Sequence, residues 1–231
     1  MTAIIETEQL TRSFGRTEAV SELTMAVPQG SIFAFVGPNR AGKTTTLKLL
    51  MNLLHPTHGK AMVCGVDTQR LGAKDFQQIG YVSENQELPE WMTVRELPDY
   101  CRPFYPTWDN ELEKKLLHSL CLPSSQKIKH SSRGTRMKAA LLSALAFRPR
   151  LLALDEPFSG LDLLAREEFL EGLLELSRQD NWTIFISSND IDKIERLANA
   201  ELMIITQKDL GYFSRPIQSD SFILGETDRA N

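Results

Sequence analysis

Gly37 and Gly42 stand with four residues between them and run directly into Lys43 and Thr44, which fits the spacing G-x-x-x-x-G-K-[ST]. Chance would place such a match in about one per cent of chains this long. The chemistry these residue types offer is phosphate binding. Backbone N–H groups of the loop Gly37-Pro38-Asn39-Arg40-Ala41-Gly42 would cradle phosphate oxygens at the N-terminus of the helix that follows. Lys43 would add a point charge on β- and γ-phosphates, and the Thr44 hydroxyl would ligate Mg²⁺. A second chemical pair, Asp155 and Glu156, follows the apolar run Leu151–Leu154. One carboxylate there can hold Mg²⁺ through water, and the other can orient or deprotonate an attacking water. Taken alone, Asp155-Glu156-Pro157 reads equally well as a solvated strand end. Lys43 and Asp155 are far apart in sequence, so only a fold that sets two strand ends side by side can join them.

The elements needed for that are legible. Short apolar runs alternate with helical patterns, which predicts an α/β fold with a mainly parallel sheet. Ser31–Val36 predicts a buried strand, and Leu47, Leu50, Met51 and Leu54 mark one face of the helix after the loop. Residues 3–10 and 17–27 read as an antiparallel β flap turning at Gly15. His55 and His58 fall in what reads as a turn, His55-Pro56-Thr57-His58-Gly59. Strands are predicted at Ile79–Val82, Leu151–Leu154, Thr183–Ser187 and Glu201–Ile205, with helices over about 163–178 and 190–198. Residues about 90–147 predict a helical insert. It opens on a capping box, Thr93 with Glu96, and Pro98 is expected to kink the helix soon after its start. Leu112, Leu116, Leu117 and Leu120 mark its second helix; Met137, Ala140, Leu141, Ala144 and Leu145 mark its third. The whole chain 1–231 reads as a single domain, with 1–89 and 148–231 as flap and core around the insert.

Composition bounds the rest. The 231 residues are 42% apolar and 24% charged, an ordinary globular balance that excludes disordered and fibrous classes. The net charge of -4 argues against a nucleic-acid partner. No window approaches the roughly eighteen apolar residues of a membrane span, and Glu6 and Glu8 stand where a secretory signal would be basic and then apolar. A cytoplasmic protein is expected. The three cysteines include no CxxC pair, so neither a disulfide framework nor a zinc site is expected.

Gly37–Thr45, Leu154-Asp155-Glu156-Pro157 and Ser159-Gly160-Leu161-Asp162 together resemble the ATP-binding subunit of ABC transporters over nearly the whole chain. The resemblance implies a P-loop NTPase core that binds ATP with Mg²⁺ through Gly37 to Thr45. It also identifies Ser131-Ser132-Arg133-Gly134-Thr135 with the family's signature, usually LSGGQ, at the usual distance upstream of Asp155. Ser132 and Gly134 fit that motif; Ser131, Arg133 and Thr135 depart from it. In the family this helix start faces the γ-phosphate of ATP on a second subunit, so two subunits sandwich two ATP molecules head to tail. The resemblance further implies that Gln86 meets Mg²⁺ near the membrane partner, that Phe14 stacks on adenine, and that Asp162 communicates across the dimer. Phe14 reads otherwise as a core residue of the flap, Asp162 as a helix cap, and Ser132 as a plain N-cap.

Implied partners are an integral-membrane permease and a second ATP-binding subunit, with the chain peripheral on the inner face of the membrane. The permease would dock between the Gln86 loop and the insert, where Trp91, Tyr100, Phe104, Tyr105 and Trp108 either line the groove or, for most of them, pack the insert's core. Two positions depart from the family. Arg40 stands where Gly is usual, at a cost on the order of 1 kcal/mol if the loop is left-handed there. Asn189 stands where a His usually contacts the γ-phosphate, and it offers a neutral hydrogen bond without charge. These departures imply slow hydrolysis by Glu156 and Asn189. They also keep open a degenerate nucleotide-binding module with little ATPase activity. A soluble ABC-type ATPase acting on ribosomes or DNA is the remaining alternative, against which the acidic charge and the lack of a basic or coiled-coil insertion weigh.

Overall fold

The computed structural model describes residues 2–180, 182–189, 200–205 and 210–213. Two sheets organise the chain. The first is antiparallel and joins β1 (Ala3–Phe14), β2 (Thr17–Pro28), β4 (His58–Val63) and β5 (Val66–Asp67) in the order β2-β1-β4-β5. The second runs β10-β9-β3-β8-β7-β6, from β3 (Ile32–Val36), β6 (Ile79–Val82), β7 (Leu151–Asp155), β8 (Thr183–Ser188), β9 (Ala200–Ile205) and β10 (Leu210–Phe213). Its strands are parallel except β10, which pairs antiparallel with β9. The helices are α1 (Lys43–Leu50), α2 (Ala73–Phe76), α3 (Glu96–Cys101), α4 (Asn110–Ser119), α5 (Arg133–Leu145) and α6 (Leu163–Asp180).

The parallel strands read as unbroken apolar runs because both of their faces are covered. Alternate residues serve different cores. Phe33, Phe35, Leu151, Ala153 and Phe185 pack with Leu47 and Leu50 of α1 and with Ile5, Leu10 and Val63 of the antiparallel sheet. Ala34, Val36, Leu152, Leu154, Ile184 and Ile186 face Leu141 and Leu145 of α5 and Phe169 and Leu173 of α6. This two-sided burial holds β3, β7 and β8 in fixed register, Val36 opposite Ser188 and Asp155 opposite Ser187, so the loops at their carboxyl ends emerge together. An ion pair between Lys138 and Glu168 ties α5 to α6.

Three expectations need correction. His58 and Gly59 do not lie in a turn but open β4, where only Ala61 and Val63 are buried. His58, Gly59 and Lys60 interrupt the apolar alternation that would have signalled a strand. Pro98 does not kink α3. The reciprocal bonds of Thr93 and Glu96 form, Thr93 N–H to Glu96 Oε2 at 2.7 Å and Glu96 N–H to Thr93 Oγ1 at 3.2 Å. Pro98 then falls in the first turn, where a missing N–H costs nothing, and α3 passes straight into a 3₁₀ turn, Arg102–Phe104. The aromatics do not mostly fill the insert. Leu97, Leu112, Leu116, Leu120, Leu122 and Ile128 occupy that core, while Trp91, Tyr100 and Phe104 are 70%, 52% and 61% exposed. Only two of the five turn inward: Tyr105 stacks on Phe147 at 3.9 Å and Trp108 Nε1–H donates to Glu113 at 2.7 Å. The third insert helix, marked by Met137, Ala140, Leu141, Ala144 and Leu145, forms as α5 from Arg133. The helix expected over 190–198 lies outside the described residues.

Candidate active site

The phosphate loop leaves β3 and enters α1 through Gly42, whose φ of +91° suits glycine. A Cβ there would sit 2.1 Å from Ala19 O of β2, so the flap closes over this residue and no side chain fits. Gly37 N–H donates to Ser188 O at 3.1 Å, which pins the loop's start to the end of β8. Arg40 adopts φ +70°, the left-handed geometry that Gly normally provides. Arg40→Gly should relieve that strain, and the added freedom of the unfolded chain offsets much of the gain. We expect thermal unfolding to shift by no more than about 1 kcal/mol in stability.

Lys43 is 5% exposed. Its Nζ donates to Gly37 O at 2.8 Å and Pro38 O at 3.1 Å, and it lies 3.2 Å from Glu156 Oε1. Thr44 Oγ1 donates to Asp155 Oδ1 at 3.1 Å, so the loop's hydroxyl and the carboxylate on β7 meet as the sequence required. Ser187, opposite Asp155 on β8, donates to the same Oδ1 at 2.6 Å. Sequence reasoning passed over Ser187; its register with Asp155 was the available signal. Glu156 is held by backbone and neighbours alike. Its N–H donates to Ser187 O and Oγ at 3.2 and 3.1 Å, and its Oε2 accepts Asn189 N–H at 3.2 Å. It also takes a left-handed φ of +47°, a strained backbone of the kind found at functional positions. Burial pushes its carboxyl above the ordinary value, with Asp155 adding to the rise, while Lys43 and the Asn189 N–H pull it down. A carboxylate whose proton affinity is raised in this way is suited to accept a proton from water.

Thr44 and Asp155 also supply the hard oxygen donors Mg²⁺ prefers, and among the described residues no group of three or more His, Cys, Asp or Glu forms a denser metal site. Two protein oxygens, with phosphate and water completing the shell, fit Mg²⁺ better than a cation that demands an all-protein cage.

Other predicted positions stand further out. Asn189 is exposed, and its Nδ2 donates to Asn39 Oδ1 at 3.0 Å, bridging the end of β8 and the loop. Ser132 caps α5, accepting Thr135 N–H at 3.1 Å, and Gly134 sits in the first turn. No hydrogen bond or ion pair among the described residues joins Ser132 or Gly134 to the 37–45 loop of the same chain. Asp162 precedes α6, and its carbonyl accepts Arg166 N–H at 3.0 Å, the position of an N-cap. Phe14 is not a core residue: it is 47% exposed at the end of the flap, with the Arg12 guanidinium 4.6 Å from its ring centre.

Gln86 is not brought to the metal pair. Its Oε1 accepts Ser83 N–H at 3.1 Å, closing a turn within its own loop. It does line a cleft of about 810 Å³ between residues 83–90 and the start of α5, together with Glu84, Glu87, Glu90, Arg133 and Arg136. None of the five aromatics singled out for this groove lines it.

A phosphate loop between β3 and α1, with paired carboxylates at the tip of β7, one strand beyond β8 in the same parallel sheet, defines a P-loop NTPase. The family model for ABC transporters matches residues 20–159. The chain belongs to that family, as an ATP-binding cassette. YtrB of Bacillus subtilis (strain 168), an ABC transporter ATP-binding protein, is 28% identical over 196 residues, covering 85% of this chain and 67% of YtrB. The bacitracin transport ATP-binding protein BcrA of Enterococcus faecalis is 30% identical over 201 residues, covering 86% of this chain and 65% of BcrA. The chain spans about two thirds of the length of the curated relatives it matches. Among solved structures, an ATP-binding subunit of an ABC transporter superposes with a TM-score of 0.78 at 27% identity, covering 90% of each chain. A dimeric cassette in a post-hydrolysis state with ADP and Pi gives a TM-score of 0.78 at 20% identity, a likeness of fold, covering 94% of this chain and all of that one.

Proposed function

We propose that this chain is the ATP-binding and hydrolysing subunit that powers a separate membrane permease. The observation that carries the reading is the meeting of Lys43, Thr44, Asp155 and Glu156 within hydrogen-bond or ion-pair reach. The loop N–H groups and Lys43 bind the phosphates of ATP. Thr44 and Asp155 would hold Mg²⁺, which would supply positive charge against the phosphates. Glu156 orients the attacking water and takes its proton as the water oxygen bonds to the γ-phosphorus and the bond to the ADP oxygen breaks. Lys43 engages Glu156 Oε1 at 3.2 Å. A phosphate that draws the ammonium away releases this oxygen for the water, so binding of substrate unmasks the base.

Two chains act head to tail, with Ser132 and Gly134 of each presented to ATP on the other, Phe14 beside adenine and Asp162 at the dimer seam. The exposed N-terminus of α5, unconnected to its own phosphate loop, supports that arrangement. Among the described residues no helix is long and apolar enough to cross a membrane, which supports a permease on a separate chain and a peripheral place on the inner face of the membrane. The cleft lined by the Gln86 loop and α5 supports docking there. Relatives named for bacitracin transport and for sulfate and thiosulfate import move chemically unrelated cargo, so the permease selects the substrate.

A slow or near-silent site is the second reading, favoured by one observation. Asn189 carries no charge and its side chain is engaged with Asn39. Asn189→His should raise kcat by at least about threefold with little change in nucleotide affinity, because a charge-assisted contact to the γ-phosphate gains most in the transition state. Measured beside Arg40→Gly and the double variant, an unchanged or lower kcat in both backgrounds would remove the weakened-site reading. The function itself is tested by Mg-dependent phosphate release from ATP by the purified chain; release no greater than that of Lys43→Ala would overturn it.

A further inference from the structure

The loop after β6, the start of α5 and the turn after β7 meet at one carboxylate. Glu84 Oε1 accepts the Ser159 hydroxyl at 2.9 Å. Arg133 Nη2 reaches the Glu84 carbonyl at 3.4 Å and Oε1 at 3.5 Å. Arg133 also lies along Gly160, so closely that a Cβ on that glycine would be 2.9 Å from Nη1 and 3.0 Å from Cδ. Ser159 in turn closes the turn that starts at the proposed base, its N–H donating to Glu156 O at 3.0 Å. A continuous path therefore runs from the first residue of α5 through Glu84 and Ser159 to Glu156. Arg133 occupies a signature position where the family usually carries Gly, which has no side chain to make these contacts.

We propose that Glu84 and Arg133 are positioning residues for hydrolysis, holding the 156–159 turn, and with it Glu156, in a fixed relation to the N-terminus of α5. The inference rests on the hydrolytic reading given above. Both side chains are partly exposed, 34% for Glu84 and 44% for Arg133, so replacing them is expected to leave a folded protein. A small displacement of a catalytic group lowers turnover more than it lowers substrate binding. The two residues act as a unit, so their removal should not be additive.

The test is steady-state ATPase kinetics on Glu84→Ala, Arg133→Ala and the double variant, together with hydrogen exchange of the amides of residues 156–160. We expect each single variant to lower kcat by about fivefold or more with KM for Mg-ATP within about twofold. The double variant should be no slower than the worse single. Arg133→Lys should recover part of the loss, since it restores the charge. Exchange at 156–160 should speed up in Arg133→Ala although residue 133 lies on another element. A purely local role for Arg133 would confine faster exchange to the first turn of α5 and leave kcat unchanged, and that result would overturn the inference. Absence of ATP hydrolysis by the unmodified chain would instead sink the hydrolytic reading; the exchange at 156–160 would then decide by itself whether Arg133 and Glu84 hold that turn.

Discussion

Glu156→Gln is expected to retain Mg-ATP binding and lose hydrolysis by about 10²–10⁴-fold, the usual contribution of a positioned base. The amide keeps the volume of the carboxylate, and its single oxygen can accept either the Asn189 N–H or the Lys43 ammonium. It cannot take a proton from water. The backbone stays pinned to Ser187, so the variant gives up one side-chain contact, to Lys43 or to the Asn189 N–H, and keeps the position of the turn. ATP sandwiched between two such chains is not cleared, and the variant should elute as a dimer with saturating Mg-ATP. A monomer profile under those conditions would count against the composite site. The acid side of the pH profile gives an independent check. Because burial raises the Glu156 carboxyl above its ordinary value, the deprotonated base is lost at a higher pH than an ordinary glutamate would lose it. The kcat/KM of the wild-type chain should fall on the acid side above the usual carboxylate range, and the residual activity of Glu156→Gln should lack that limb.

Lys43→Ala is expected to weaken Mg-ATP binding at least tenfold, about 1.4 kcal/mol, by calorimetry. The backbone cradle stays, since Gly37 is fixed to Ser188 and Gly42 to the flap beside Ala19. What is lost is the charge on the phosphates and the partner of Glu156. Lys43 pulls the Glu156 carboxyl down, so its removal should raise that group further and move the acid limb of any residual activity to higher pH. Lys43 and Glu156 form one ion pair, so the effects of Lys43→Ala and Glu156→Gln should fall short of adding. Unchanged affinity for ATP would remove the phosphate-loop assignment.

How much of this was legible in the sequence follows from where the signals are local. The loop from Gly37 to Thr44 is a run of fixed residue types flanked by an apolar strand and an amphipathic helix, so both the motif and its setting could be read directly. Asp155 and Glu156 depended on a pairing of distant strands, yet the apolar runs of β3, β7 and β8 forecast a parallel sheet that provides it. The misses have the opposite character. β4 buries only Ala61 and Val63, and the exposed run His58-Gly59-Lys60 at its start carries no strand signal although the strand is paired on both sides, with β1 and β5. Ser187 is an ordinary strand residue until its register with Asp155 is known. Gln86 rests on the family resemblance alone, whereas the side chain of the same loop that reaches the turn after β7 belongs to Glu84, two positions earlier. The exposed Trp91, Tyr100 and Phe104 ran against the expectation that large aromatics fill small cores, since leucines already fill this one.

Phosphate release from Mg-ATP by the wild-type chain, followed beside Glu156→Gln over a range of protein concentrations, tests the central claim most directly. Turnover well above the variant, with activity per chain rising as concentration drives pairing, is the predicted result. Release that equals the variant's at every concentration would contradict a composite ATP-hydrolysing site built on Lys43, Asp155 and Glu156.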